Sequence, residues 1–364
     1  MPPAQPNVEA VLTRKKAPLA TALPAYLCIA YTLLIVYASL HPFSGWLDPG
    51  LPTLTFLDAG WPRYWTVFDL AVNVLAYLPL GFLLTLSLRR GAGRWLAAGA
   101  ALLGGALLGL GLECIQTWLP ARVPSNIDLA CNTLGSALGA LLALRHDASL
   151  FAKIARLQRF LLAPEPHAEF GLVVIGLWLL LQLSPETLLF GSGDLRQLLG
   201  LARAVPYAAQ SFFVIETGIT VCNMIGVGLL ARTLMANRGS PTAVLATLFV
   251  VALIVRTLAA AVLVAPGDAL AWLTPGASLG LLIGAALLAA LLWLPASLRI
   301  ALAGLMLMAG TVLVNVTPPN PYSAAALATW RQGHFLNFNG LTRLAASLWP
   351  FIALPYLTVL GRRL

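Results

Sequence analysis

The chain has 364 residues, of which 59% are hydrophobic and 10% charged, with a formal net charge of +9. An ordinary soluble domain is about 25% charged, so this composition excludes one. The basic excess has the character of loop anchors at a cytoplasmic membrane face, and no nucleic-acid partner is expected.

In chain order, residues 1–22 read as a cytoplasmic tail carrying Arg14, Lys15 and Lys16. The apolar run that follows is read as an uncleaved first helix, since it is long for a signal peptide. Apolar segments then recur at 23–41, 68–88, 95–118, 127–144, 169–188, 210–235, 242–264, 277–294, 298–316 and 344–361. Each is close to the roughly 20 residues needed to cross a bilayer. None alternates as a barrel strand would. The expected fold is therefore all-α: a polytopic membrane protein of about ten transmembrane helices with both termini cytoplasmic. The Lys and Arg residues set this orientation. Arg89, Arg94, Arg145, Arg232, Arg299 and Arg362 fall on the inner side, and the outer side is poorer in basic residues. Trp95 and Trp293 fall near the inner interface, Trp118 and Trp272 near the outer one.

The expected organisation is a four-helix domain at 23–147 and a cytoplasmic linker at 148–168. A second four-helix unit at 169–295 and a helix pair at 296–364 follow. In the linker, Leu150, Ile154, Leu157 and Leu161 recur at helical spacing between Lys153, Arg156 and Arg159. That pattern predicts an amphipathic helix on the membrane surface. The two larger units resemble each other, with Asp69 over Glu216, Gly81 over Gly228, and Gly135-x-x-x-Gly139 over Gly280-x-x-x-Gly284. This suggests a duplication in which the second copy has lost most polar positions.

The chemistry gathers in the first unit. Asp69 and Asn73 are four apart at the outer end of one helix, on a face that continues to Tyr77. Glu113 and Gln116 close the next helix. Arg122 lies in the loop, and Asp128 and Asn132 open the following helix. Small residues at Gly105, Gly109, Gly135 and Gly139 would let these helices approach closely. Ionisable groups at membrane depth are costly and are functional suspects by default. The expected result is a polar site opening to the outer leaflet, formed by Asp69, Asn73, Glu113, Gln116, Arg122, Asp128 and Asn132.

The string Asp69…Asn73…Pro79-Leu80-Gly81-Phe82, then Glu113-x-x-Gln116, then Arg122…Asp128-x-x-x-Asn132-Thr133-x-Gly135-x-x-x-Gly139 resembles the VanZ-like family of membrane proteins. The resemblance covers roughly residues 23–147. One departure is Ile127, where many relatives carry a second acid. The resemblance implies a place in the bacterial cytoplasmic membrane and an association with teicoplanin-type resistance.

Three functions stay open at this point. The site could bind an amphiphile such as a membrane lipid or lipid-linked glycan. It could modify a head group or glycan, with Glu113 and Asp128 as the catalytic candidates. The chain could also be a transporter or flippase, although the polar residues cluster at one face. Against all three stands a purely structural ion-pair network of Glu113, Arg122 and Asp128. His41, before Pro42, reads as a turn residue. Glu216 and Arg256, on neighbouring spans, are expected to pair, and Arg331 and His334 to be solvated. Cys28, Cys114, Cys131 and Cys222 have no metal-ligand spacing. No cofactor or metal is expected, and the sequence is silent on oligomeric state.

Overall fold

The computed structural model describes residues 22–50, 52–60, 66–89, 91–145, 162, 168–184, 186–196, 199–200, 207–236, 240–263, 266–318 and 336–362. The tail at 1–21, nearly all of the linker, Arg331 and His334 lie outside the described residues. The described chain is helical and has no strand; its one β-bridge joins Leu162 to Met235.

The helices are α1 (Leu23–Leu40), α2 (Thr55–Asp58), α3 (Val67–Leu88), α4 (Arg94–Gln116), α5 (Asn126–Arg145) and α6 (Ala168–Leu181). They continue with α7 (Ala209–Leu234), α8 (Pro241–Leu263), α9 (Pro275–Leu291), α10 (Ala296–Val316) and α11 (Leu336–Gly361). Eight are long and apolar enough to cross a membrane, and α6 and α9 are shorter apolar helices. Large apolar side chains stand exposed along them, including Leu33, Leu75, Leu107, Leu141, Val250 and Leu282. On a soluble protein such a surface would drive association; on this one it faces lipid. The chain is a multi-pass membrane protein.

The first unit holds together with little bulk. α3 and α5 pack along a stripe of small residues, and their backbones meet. A Cβ added at Gly81 would overlap the Ser136 carbonyl. One at Gly135 would overlap the carbonyl of Val74, and one at Gly139 that of Leu78. Without a hydrophobic drive between helices in lipid, such close backbone approach is what supplies van der Waals attraction. Ser136 also fits against Gly105, which brings α4 into the same contact. Pro79 lies inside α3. Near that break the Tyr31 hydroxyl of α1 donates to the Ala76 carbonyl at 3.0 Å, a donor reaching backbone where the proline ring loosens the ladder.

The second unit has a bulkier core. Trp178, Phe190 and Phe249 pack tilted and edge-on, with ring centroids 5.3–5.7 Å apart. α7 runs through its centre, packed on α9 and α10. α1 and α11 join the two units: both touch α6, and α1 touches α11.

Two expectations need correction here. The fifth span was expected over 169–188, but α6 ends at Leu181. Its 14 residues rise roughly 21 Å, short of a hydrocarbon core of about 30 Å. A proline at 185 disfavours helix at Ser184. The chain continues as an irregular segment whose residues Leu188–Gly193 carry no helix, with Leu189, Phe190 and Ser192 fully buried. Non-helical backbone at this depth is tolerated where protein surrounds it. Here Asn315 both accepts from the Leu195 amide at 3.1 Å and donates to the Gly193 carbonyl at 2.7 Å. Gly193, at φ +88°, donates its amide to the Ala346 carbonyl at 2.8 Å.

The expected pair of Glu216 and Arg256 does not form. Arg256 is 3% exposed and donates to the Ser184 carbonyl at 2.8 Å, the Thr187 hydroxyl at 2.9 Å and the Thr187 carbonyl. Glu216, 2% exposed, instead has Oε2 against Gly276 at the start of α9. The end of α6 leaves free carbonyls within reach of the guanidinium, and these satisfy it.

Candidate functional site

The site is built at one end of the bundle, where α1 and α4 end and α3 and α5 begin. Arg89, Arg94, Arg145, Arg232 and Arg299 lie toward the opposite end of their helices.

Ser125 organises the start of α5. Its hydroxyl accepts from the amides of Ile127 at 3.2 Å and Asp128 at 3.4 Å, satisfying donors that a helix start leaves free. Its own amide donates to Glu113 Oε2 at 2.8 Å. Glu113 is 4% exposed, and the positive end of α5 favours its charge there. Asp128, one turn into α5, accepts from Asn73 Nδ2 of α3 at 2.7 Å. Charge-assisted bonds of this kind are roughly twice as strong as neutral ones.

Arg122 and Gln116 serve the end of α1. Arg122 donates from Nη2 to the Ala38 carbonyl at 2.8 Å and from Nε to the His41 carbonyl at 3.2 Å. Gln116 Nε2 donates to the Ser39 carbonyl at 2.9 Å. These carbonyls have no partner within the helix, and a cation there also meets the negative end of its dipole. Burial lowers the Arg122 pKa, and the nearby Glu113 carboxylate partly offsets this. His41 follows α1; its Nδ1 shares a 3.0 Å hydrogen bond with the Tyr37 hydroxyl, and its ring lies against Gly340 of α11. Burial holds the His41 pKa below its ordinary value, and Arg122 and Arg343 push the same way.

An ion-pair network of Glu113, Arg122 and Asp128 is not formed. Among the described residues the salt bridges join Arg196 to Asp194 and Arg343 to Glu186. Arg122 has carbonyl partners, and the two acids have amide partners.

Six of the seven polar residues singled out in the sequence line one cavity of about 840 Å³: Asn73, Glu113, Gln116, Arg122, Asp128 and Asn132. Asp69 does not line it. Asp69 forms a capping box with Thr66, accepting from the Thr66 amide at 3.1 Å and hydroxyl at 2.7 Å while its own amide donates back at 3.1 Å. The i, i+4 spacing with Asn73 suggested a shared task, but Asp69 sits at the third helical position, where the cap claims it.

The sequence missed the rest of the cavity. Tyr77, read only as part of a face, also lines it and is 3% exposed, with no partner for its hydroxyl. The Asn132 amide oxygen is likewise buried and unpartnered. Leu183, Leu258, Ala259 and Val262 of the second unit and Leu341 of α11 also line the cavity, beside apolar residues of the first unit such as Ile35, Ala76 and Val123. Phe68 and Val72 of α3 and Leu258 and Val262 of α8 line the cavity and are also exposed on the outer surface of the bundle. These helices do not pack extensively on each other. The cavity thus combines polar groups that all come from the first unit with apolar residues from both units, and is flanked by exposed apolar side chains. Among the described residues no cluster of His, Cys, Asp and Glu has the arrangement of a metal centre.

No curated protein and no solved structure matches this chain. The unit that supplies the polar wall is different: residues 24–151 match the VanZ/LLP1 family model, which makes the N-terminal third of this membrane protein VanZ-like.

Proposed function

We propose that the protein binds an amphiphile from the outer leaflet of a bacterial cytoplasmic membrane, such as a lipid or a lipid-linked glycan, and that this protects the cell envelope. The head group lies against Asn73, Glu113, Gln116, Arg122, Asp128 and Asn132, and the apolar part against Leu258, Ala259, Val262 and Leu341. The observation that carries this reading is one cavity whose polar groups all come from the first unit and whose lining from the second unit and α11 is wholly apolar. Ligand sites are commonly apolar clefts with a few placed polar groups, often between structural units. The concentration of Arg89, Arg94, Arg145, Arg232 and Arg299 at the far end supports the outward orientation. The resemblance of residues 24–151 to the VanZ/LLP1 family supports an envelope role, with teicoplanin-type glycopeptide resistance as the phenotype to examine.

The test has two parts. Leu258→Trp with Val262→Trp adds bulk on exposed positions of the apolar wall. Purified wild-type protein should retain co-purifying lipid in native mass spectrometry, and the double variant should retain less. In a susceptible bacterial host, Glu113→Gln and Asp128→Asn should each change envelope sensitivity. Equal lipid retention together with unchanged sensitivity would remove this reading.

A further inference from the structure

The polar wall is dominated by hydrogen-bond acceptors. Asp128 gives Oδ1 to Asn73 and Glu113 gives Oε2 to Ser125, and among the described residues the second oxygen of each has no hydrogen bond. The Asn132 amide oxygen and the Tyr77 hydroxyl are buried without partners. The cation of this wall, Arg122, directs Nε and Nη2 to the α1 carbonyls, and Gln116 directs its amide nitrogen there as well. Arg122 and Gln116 thus turn donors toward α1, while the unfilled acceptors belong to residues that line the cavity.

Buried charge is tolerated when it is paired and hydrogen-bonded. A phosphate or carboxylate head pressed into this wall would meet two carboxylates, and the guanidinium there already gives Nε and Nη2 to α1 carbonyls. A group with several N–H donors and a positive charge would satisfy both acids and the two orphaned oxygens. We infer that the ligand's head group carries a primary ammonium, seated between Glu113, Asp128, Asn132 and the Tyr77 hydroxyl. This rests on the amphiphile-binding reading and narrows its chemistry. Two sources share that chemistry: an aminophospholipid, and a lipid bearing an unacetylated amino sugar.

The experiment uses the full chain, delipidated in detergent and titrated by native mass spectrometry with four acyl-matched lipids. These are phosphatidylethanolamine, phosphatidylglycerol, glucosaminyl-diacylglycerol and its N-acetylated form. At least one amine lipid should bind about tenfold more tightly than its uncharged or anionic counterpart, the scale of a charge-assisted hydrogen bond. Preference for phosphatidylethanolamine assigns the first source, and preference for the glucosaminyl lipid over its N-acetyl form assigns the second. Glu113→Gln keeps an acceptor for the Ser125 amide, so a folded variant is expected, and a thermal melt checks it. In that variant and in Asp128→Asn the amine preference should collapse. Equal binding of all four lipids, or an amine preference that survives both substitutions, overturns the ammonium assignment while leaving amphiphile binding standing. Failure of every lipid to bind overturns both.

Discussion

Asn73 and Asp128 are separated by 55 positions and joined by a 2.7 Å hydrogen bond that ties the start of α3 to the start of α5. On α5 it stands about two turns before Gly135, whose backbone meets that of Val74, the residue after Asn73. The bond therefore does two things. It closes the end of the helix pair, and it occupies one oxygen of a carboxylate that lines the cavity while the other has no hydrogen bond among the described residues.

Asn73→Ala should remove this tie. A hydrogen bond to a charged group contributes about 1.5–3 kcal/mol, and Asp128 would be left without its donor. Thermal unfolding in detergent should show a lowered Tm. A double-mutant cycle with Asp128→Ala should give a coupling of at least about 0.5 kcal/mol. Additive effects would mean that the bond carries no stability.

Gly135→Leu should prevent α3 and α5 from docking, because the first added carbon already overlaps the Val74 carbonyl. Rapid proteolysis of the purified protein is the expected readout. Gly111→Ala, in the same unit but with nothing within 4 Å, should be silent. Equal protease resistance of the two variants would contradict the close-packed stripe.

The contribution of His41 to stability should fall on the acid side of neutrality. The folded His41 pKa is depressed, so between its folded value and the unfolded value of about 6.5 the unfolded chain binds more protons. Stability from this group is complete above about 6.5 and is lost as pH falls toward the folded pKa. His41→Asn should flatten the dependence. Arg122→Gln should raise the His41 pKa by removing a neighbouring cation, which a histidine NMR titration would read directly.

Arg256→Leu should loosen the irregular segment after α6. It strips donors from the Ser184 and Thr187 carbonyls, and each buried acceptor left open costs about 1–3 kcal/mol. Hydrogen exchange should rise across residues 186–196 while α3 and α5 stay protected. Unchanged exchange there would show that Asn315 and Ala346 hold the segment without Arg256.

The sequence by itself determined the membrane class, most helix limits and the small-residue stripe. Each is written in local pattern: apolar runs of spanning length, a Gly-x-x-x-Gly spacing, and acids at helix ends. Six polar residues of the cavity could be named for the same reason, since short connections make α3, α4 and α5 neighbours. Tertiary structure decided the rest. Thr66 took Asp69 for a cap, and α1 carbonyls took Arg122. The free carbonyls after α6 took Arg256 away from Glu216. In each case several partners were compatible with the sequence, and the winner was the group that the fold brought within hydrogen-bond distance. The apolar wall from α8 and α11 was hidden more completely. Leu258, Val262 and Leu341 look like any lipid-facing side chains in a span, and only the tertiary structure puts them in the lining of the cavity that holds the polar residues.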